Sequence, residues 1–174
     1  MPQTIGYHLV KSGFGLWLPG DSRGHWSTGW DEQIGDYEPH HLHEGDPVRE
    51  RMARERMKHR PTRFTPAMII AAADAIGACE RDSDWRIVAA AIEPTHMHLL
   101  LTYTDRDIDR TGKWLAQQTT KEVHRRTPFA GPVWCEGKWL EFVFNQLHFD
   151  NIRQYIERHN VRLGLPARPW EWIT

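Results

Sequence analysis

Two short stretches of this 174-residue chain bring together side chains suited to metal or acid–base chemistry, and the chain has eleven histidines to draw on. His96-Met97-His98 sets two imidazoles two residues apart. Alternate side chains of a strand share a face, so both point the same way, about 7 Å apart at the backbone, a separation that lets them converge on one ion. Tyr155-Ile156-Glu157-Arg158-His159 sets a phenol and an imidazole four residues apart, neighbours on one helix face. Each feature alone has an ordinary reading: two histidines beside a turn, and a Tyr/His pair that packs and finds a hydrogen bond. His40-His41-Leu42-His43 also looks like a ligand run, but it lies in an acidic, aperiodic segment that offers no fixed geometry.

The elements that must hold these groups can be read from periodicity and punctuation. Residues 5–10 predict a first strand, and Gly13, Gly15, Pro19, Gly20, Asp21 and Gly24 a loop after it. Asp46-Pro47 has the cap-plus-proline signature of a helix start and leads into a basic helix over 49–60, stopped by Pro61. Thr65-Pro66 opens another helix, with Ile69, Ala72, Ala73 and Ile76 at core spacing. Residues 86–93 and 96–103 read as two strands around Pro94-Thr95, with Met97, Leu99 and Leu101 on the face opposite the two histidines. A helix over 107–126, a strand over 140–144 and a helix capped by Asp150 and running to about 161 complete the chain. The order β-α-β-β-α-β-α predicts an α+β fold: a ferredoxin-like (split βαβ) antiparallel sheet with helices packed on it and an added C-terminal helix.

Composition sets the outer limits. The chain is 40% apolar and 26% charged with nine Trp, which excludes a disordered or low-complexity chain. No apolar run reaches the length of a membrane span, no secretory signal is visible, and Cys79 and Cys135 lack metal or redox spacing. A soluble cytosolic protein with no membrane partner is expected. The net charge of −1 conceals opposed blocks. Residues 31–46 hold six acids and no Lys or Arg, and residues 48–63 hold seven Lys/Arg against two acids, which leaves room for a local phosphate-binding face.

Pro94-Thr95-His96-Met97-His98-Leu99-Leu100 resembles the His-hydrophobe-His strand of the HUH endonucleases, and Tyr155-Ile156-Glu157-Arg158-His159-Asn160-Val161-Arg162-Leu163-Gly164-Leu165 resembles the tyrosine helix of their single-tyrosine transposases. The REP-associated tyrosine transposase group is the best match. Tyr7-His8-Leu9-Val10 and Trp17-Leu18-Pro19-Gly20-Asp21-Ser22-Arg23-Gly24 are similar to the N-terminal signature of one branch. The resemblance covers residues 5–26 and 65–170 of a single domain over 1–174, leaving 27–64 as an insertion that contains an acidic His-bearing loop and the basic helix. It departs from the family in reading His159-Asn160-Val161, without the proline often found there.

The resemblance implies Tyr155 as nucleophile and His96, His98 and His159 as ligands of Mg²⁺ or Mn²⁺, with His159 where the family usually has an amide. Three imidazoles alone would also suit Zn²⁺ or Ni²⁺. It implies single-stranded or hairpin DNA as partner, cleaved and rejoined through a 5′-phosphotyrosine, and a nucleoid-associated location when DNA is bound. Some relatives pair as homodimers and others act alone. Candidate DNA contacts are Arg49, Arg51, Arg54, Arg56 and Lys58 of the basic helix, with Arg125, Arg126, Arg153 and Arg158. Trp17, Trp26, Trp30, Trp114 and Trp134 are candidate stacking platforms. The competing readings are a domesticated hairpin-DNA or RNA binder with little catalysis, and a metal hydrolase that uses water in place of Tyr155.

Overall fold

Strand β1 (Gly6–Ser12) alternates Tyr7 and Leu9, both buried in the main core, with His8 on the opposite face. The computed structural model describes residues 3–26 and 42–173. After β1 the chain forms a short pair, β2 (His25–Trp26) with β3 (Leu42–His43), then α1 (Pro47–Glu55), α2 (Pro66–Arg81), β4 (Ile87–Ile92), β5 (His96–Thr102), α3 (Ile108–Arg126), β6 (Trp139–Val143) and α4 (Gln146–Arg162). The four long strands make one sheet in the order β4-β5-β1-β6 with every neighbour antiparallel. Setting aside β2, β3 and α1, this is the ferredoxin-like arrangement expected from the sequence.

The sheet has two unequal faces. Met97, Leu99 and Leu101 of β5 join Tyr7, Leu9, Ile87 and Ile92 under α2 and α3, where Ala72, Ala73, Ile76, Leu115 and Val123 are fully buried. The other face is smaller: Ala89, Ala91, Leu100 and Val143 lie under Phe149, Ile152 and Ile156 of α4. The alanines of β4 let α4 settle close to the sheet. Beyond the edge of that small core, the same face carries His8, His96 and His98.

Caps explain most element boundaries. Asp46 accepts from the Val48 and Arg49 amides and Thr65 from the Met68 amide, each followed by proline in the first turn, as predicted. Two helix expectations need correction. The basic helix ends at Glu55, with Arg56 as its cap, and does not continue to residue 60. Residues 56–60 turn and bend instead, and beyond Pro61 the Thr62 amide donates to Phe14 O and the Phe64 amide to Pro94 O, which holds the chain at the sheet's end. The last helix starts a turn earlier than expected, because Asn145 takes the cap by accepting from the His148 amide, so Asp150 lies inside it. Of the acidic segment 31–46, residues 31–41 lie outside the described residues, His40 and His41 among them; Leu42–His43 pairs with His25–Trp26.

After α4, Gly164 turns the chain at φ +76°, and the tail crosses to the other side of the sheet. There Trp170, Trp172 and Ile173 pack against the main core. A Cβ on Gly77 of α2 would collide with the Trp172 indole. Gly77→Val is therefore expected to undock the tail and cost about 1–3 kcal/mol, seen as a lower melting temperature and new chymotryptic cleavage at Trp170 and Trp172. An unchanged cleavage pattern would show that the tail is not held there.

Candidate metal and nucleophile site

The hairpin joining β4 to β5 turns in two residues, Pro94 and Thr95, with the Glu93 amide donating to His96 O at 2.8 Å. Cross-strand partners share a face, so Glu93 joins His96 and, two residues on, His98. α4 crosses this face with Tyr155 and His159 one turn apart on its underside. The ligand atoms of Glu93, His96, His98 and His159 all lie within 4.8 Å of one another. Ring centroids are 4.7 Å apart for His96–His98, 4.7 Å for His98–His159 and 5.9 Å for His96–His159. Residues sixty positions apart in the sequence are thus brought into one cluster within a single chain.

The ring nitrogens are not equivalent. His96 Nδ1 lies 2.8 Å from Thr95 Oγ1, and His159 Nδ1 is hydrogen-bonded to Glu93 Oε1. His98 Nδ1 lies 3.1 Å from His8 Nε2. The opposite nitrogens, His98 Nε2 and His159 Nε2, are buried and have no hydrogen-bond partner among the described residues. Buried polar atoms are nearly always satisfied, so two bare imidazole nitrogens beside a carboxylate fit a cation site. Burial also favours the neutral form of the two strand imidazoles: it pushes His98 down to about 2 and lowers His96 against the opposing pull of Glu93. Neutral imidazole is the ligating form.

Tyr155 packs edge-on to this cluster, with ring centroids 4.6 Å from His159, 5.5 Å from His98 and 6.4 Å from His8. It is 41% exposed, so a large substrate can reach its hydroxyl. Asn160, the next residue after His159, is 1% exposed and anchors α4. Its amide donates to Ala90 O of β4 and to Ala167 O of the tail, each at 2.9 Å. The helix end, where the expected proline is missing, is held by this residue instead.

Two residues of the site escaped the sequence reading. Glu93 was legible, since a carboxylate three before His96 across a two-residue turn must face it. His8 was not, because its nearness to His98 depends on the pairing of β1 with β5.

The candidate DNA contacts are divided between regions. Arg153 and Arg158 ride on α4, Arg158 exposed and Arg153 paired with Asp150. In α1, Arg49, Arg51 and Arg54 pair with Asp46, Glu55 and Glu50, and Arg56 and Lys58 follow the helix, exposed. Arg125 and Arg126 end α3 on the far side of the sheet, where they bond Glu122 and Asp74. Among the aromatics, Trp134 is buried and donates to Thr119 Oγ1, Trp114 lies on the outer side of α3, and Trp17 is exposed with Arg23 stacked over it at 4.6 Å. Trp30 and the side chain of Trp26 lie outside the described residues.

Comparison with one solved structure agrees with this architecture. A solved REP-associated tyrosine transposase bound to a REP hairpin is 15% identical, with a TM-score of 0.52 over 99% of this chain and 78% of that one, a likeness of fold. A candidate transposase from Deinococcus radiodurans R1 is 16% identical, with a TM-score of 0.37 over 91% of this chain and 93% of that one. No curated protein matches the chain. The profile of the family described as "Transposase IS200 like" matches residues 55–159, more than half of the sequence, including the two-histidine strand and the tyrosine helix through His159. This chain belongs to the IS200-like transposase family.

Proposed function

We propose that this transposase cuts and rejoins single-stranded or hairpin DNA through a covalent link to Tyr155, at a divalent cation held by His96, His98 and His159 with Glu93 beside them. The observation that carries the reading is the packing of the Tyr155 ring on the same two imidazoles whose buried Nε2 atoms lack partners. The mixed nitrogen and carboxylate donor set suits Mn²⁺ or Mg²⁺ completed by phosphate oxygens. When bound, such a cation draws charge from a nonbridging phosphate oxygen.

The chain's own groups do the rest. His96, His98 and His159 present ring nitrogens from a strand and a helix, so the phosphate is fixed against both. Tyr155 gives up its hydroxyl proton and its oxygen bonds to phosphorus as the bond to the 3′-oxygen breaks. That oxygen leaves as a 3′-hydroxyl, taking a proton. Because a phosphodiester is exchanged for a phosphotyrosine of similar energy, an incoming 3′-hydroxyl can reverse the step, and no nucleotide cofactor is needed. Arg158, on the same helix as Tyr155, supplies positive charge near the site, and the arginines of α1 offer more for a longer DNA; their surface pairs with acids are weak enough to give way to phosphate. Trp139 is 60% exposed and shares a face with His98 through Val10, which pairs with both. At two strand spacings, roughly 10 Å, it can stack a base next to the bound phosphate. The reading takes residues 1–174 as one such domain, with 27–64 as an insertion. No helix among the described residues is long and apolar enough to cross a membrane, and a DNA substrate fits action in the cytoplasm.

The test is a labelled hairpin oligonucleotide with Mn²⁺, resolved on a denaturing gel. Label migrating with the protein, and absent from Tyr155→Phe, supports the proposal. Cleavage without protein-linked label would make the chain a metal hydrolase, and binding without cleavage a hairpin-binding module. Glu93 gives a separate check. Glu93→Ala is expected to weaken Mn²⁺ binding by about 10–100-fold in calorimetric titrations without DNA, because it frees His159 as well as removing a carboxylate. Unchanged affinity would remove Glu93 from the site.

A further inference from the structure

A line of polar contacts leaves the cluster on the side away from Glu93. His98 Nδ1 is 3.1 Å from His8 Nε2, His8 Nδ1 is 3.4 Å from Glu141 Oε2, and Glu141 Oε1 is 3.1 Å from His148 Nε2. The line starts on β5, crosses β1 and β6 and ends in the first turns of α4. Strand register creates it, since His8 pairs directly with Glu141 and Val10 with His98. His8 and His98 also stack, with centroids 5.3 Å apart and planes 20° from parallel. His8 is only 7% exposed and His98 5%, so the contact between them is sheltered from water.

The geometry points to His8 and Glu141 as positioning residues that fix the tautomer and ring angle of His98 and tie the start of the tyrosine helix to the cation site. The direction of each bond follows from donor arithmetic. For Nε2 of His98 to offer a lone pair, its proton must sit on Nδ1, and that N–H needs an acceptor. His8 Nε2 accepts it, which puts the His8 proton on Nδ1, where Glu141 accepts in turn. The second carboxylate oxygen lies 3.1 Å from His148 Nε2, a polar contact at the start of α4. Both hydrogen bonds from His98 therefore point outward to one carboxylate, and no donor faces another donor. With His159 bonded to Glu93, α4 is tied to the ligand cluster at both ends, with Tyr155 between them. Neither His8 nor Glu141 lies among the four clustered ligand groups.

This inference rests on the reading that His98 ligates a cation, and the experiment separates the two. Mn²⁺ affinity is measured by calorimetry on DNA-free wild type, His98→Ala, His8→Ala, His8→Gln and Glu141→Ala, with circular dichroism to confirm folding. Wild type should bind and His98→Ala should not. His8→Ala should bind about 10–100-fold more weakly, the usual cost of losing an outer partner of a metal-bound histidine. His8→Gln should recover most of the loss, since its amide oxygen can accept from His98 and its NH₂ can donate to Glu141. Glu141→Ala, at a half-exposed position that spares the core, should show a smaller loss in the same direction. If wild type binds and neither His8→Ala nor Glu141→Ala is weaker, the positioning role is overturned while the cation site stands. If wild type and His98→Ala both fail to bind, the cation site and the relay fall together.

Discussion

His98→Ala is expected to abolish Mn²⁺ binding over the range in which wild type saturates, a loss exceeding the roughly 100-fold upper cost of deleting an outer partner. His98 is 5% exposed, and its burial holds it neutral down to about pH 2. Its Nε2 has no partner among the described residues, and its Nδ1 is occupied by His8. Truncation removes the donor at the centre of the cluster, the one within 4.7 Å of both His96 and His159 by ring centroid. His8 is not placed to replace it, since its ring nitrogens face Glu141 and the vacated position of His98 Nδ1 and not the other ligands. Calorimetric titration reads the loss directly. Because position 98 sits beside the small core under α4 and not within the main core, the far-ultraviolet spectrum should be preserved. Retained Mn²⁺ affinity in a folded His98→Ala protein would contradict the assignment.

Tyr155→Phe is the second large effect, and it should divide binding from chemistry. The substitution keeps the ring, with its edge contacts to His98 and His159, and removes only an oxygen from a side chain that is 41% exposed. Folding, Mn²⁺ affinity and hairpin binding should stay within about twofold of wild type, as for other exposed-site changes. Formation of protein-linked DNA should fall by about 10³-fold or more, because no other phenol packs on the cluster among the described residues. Tyr155 packs on histidines of its own chain, so mixing Tyr155→Phe with His98→Ala protein should not restore activity. Single-turnover gels with the mixture check this; recovered adduct would mean that the tyrosine is delivered to a second chain.

The sequence carried the chemistry of the site more fully than its surroundings. The spacing of His96 and His98 on a strand, and of Tyr155 and His159 on a helix, follows from local geometry, and local geometry survives folding. The capping signatures Asp46-Pro47 and Thr65-Pro66 held for the same reason: a cap is satisfied within its own turn. The basic helix stops short at residue 55 because the stretch after it turns towards partners far away in sequence, His59 packing on Phe14 and Thr62 and Phe64 hydrogen-bonding to Phe14 and Pro94. The start of α4 was misplaced because Asn145 and Asp150 are equally good caps in isolation, and the burial of Phe149 favours the earlier one. His8 could not be found at all without the β1–β5 register. A one-residue slip would have turned it away from His98. The separation of Arg125 and Arg126 from the site has the same origin, since only the packing of α3 against α2 shows which side of the sheet they occupy.

The central claim is that the phenol of Tyr155 becomes the point of covalent attachment to DNA. It is tested most directly by trapping the adduct with a hairpin oligonucleotide and Mn²⁺, digesting with nuclease and trypsin, and locating the modified peptide by mass spectrometry. The account predicts a residual nucleotide phosphate on the segment following Arg153, Gln154-Tyr155-Ile156-Glu157-Arg158, with fragment ions that place it on Tyr155. Cleaved DNA with every tyrosine peptide unmodified, or a phosphate mapped to any other residue, would contradict it.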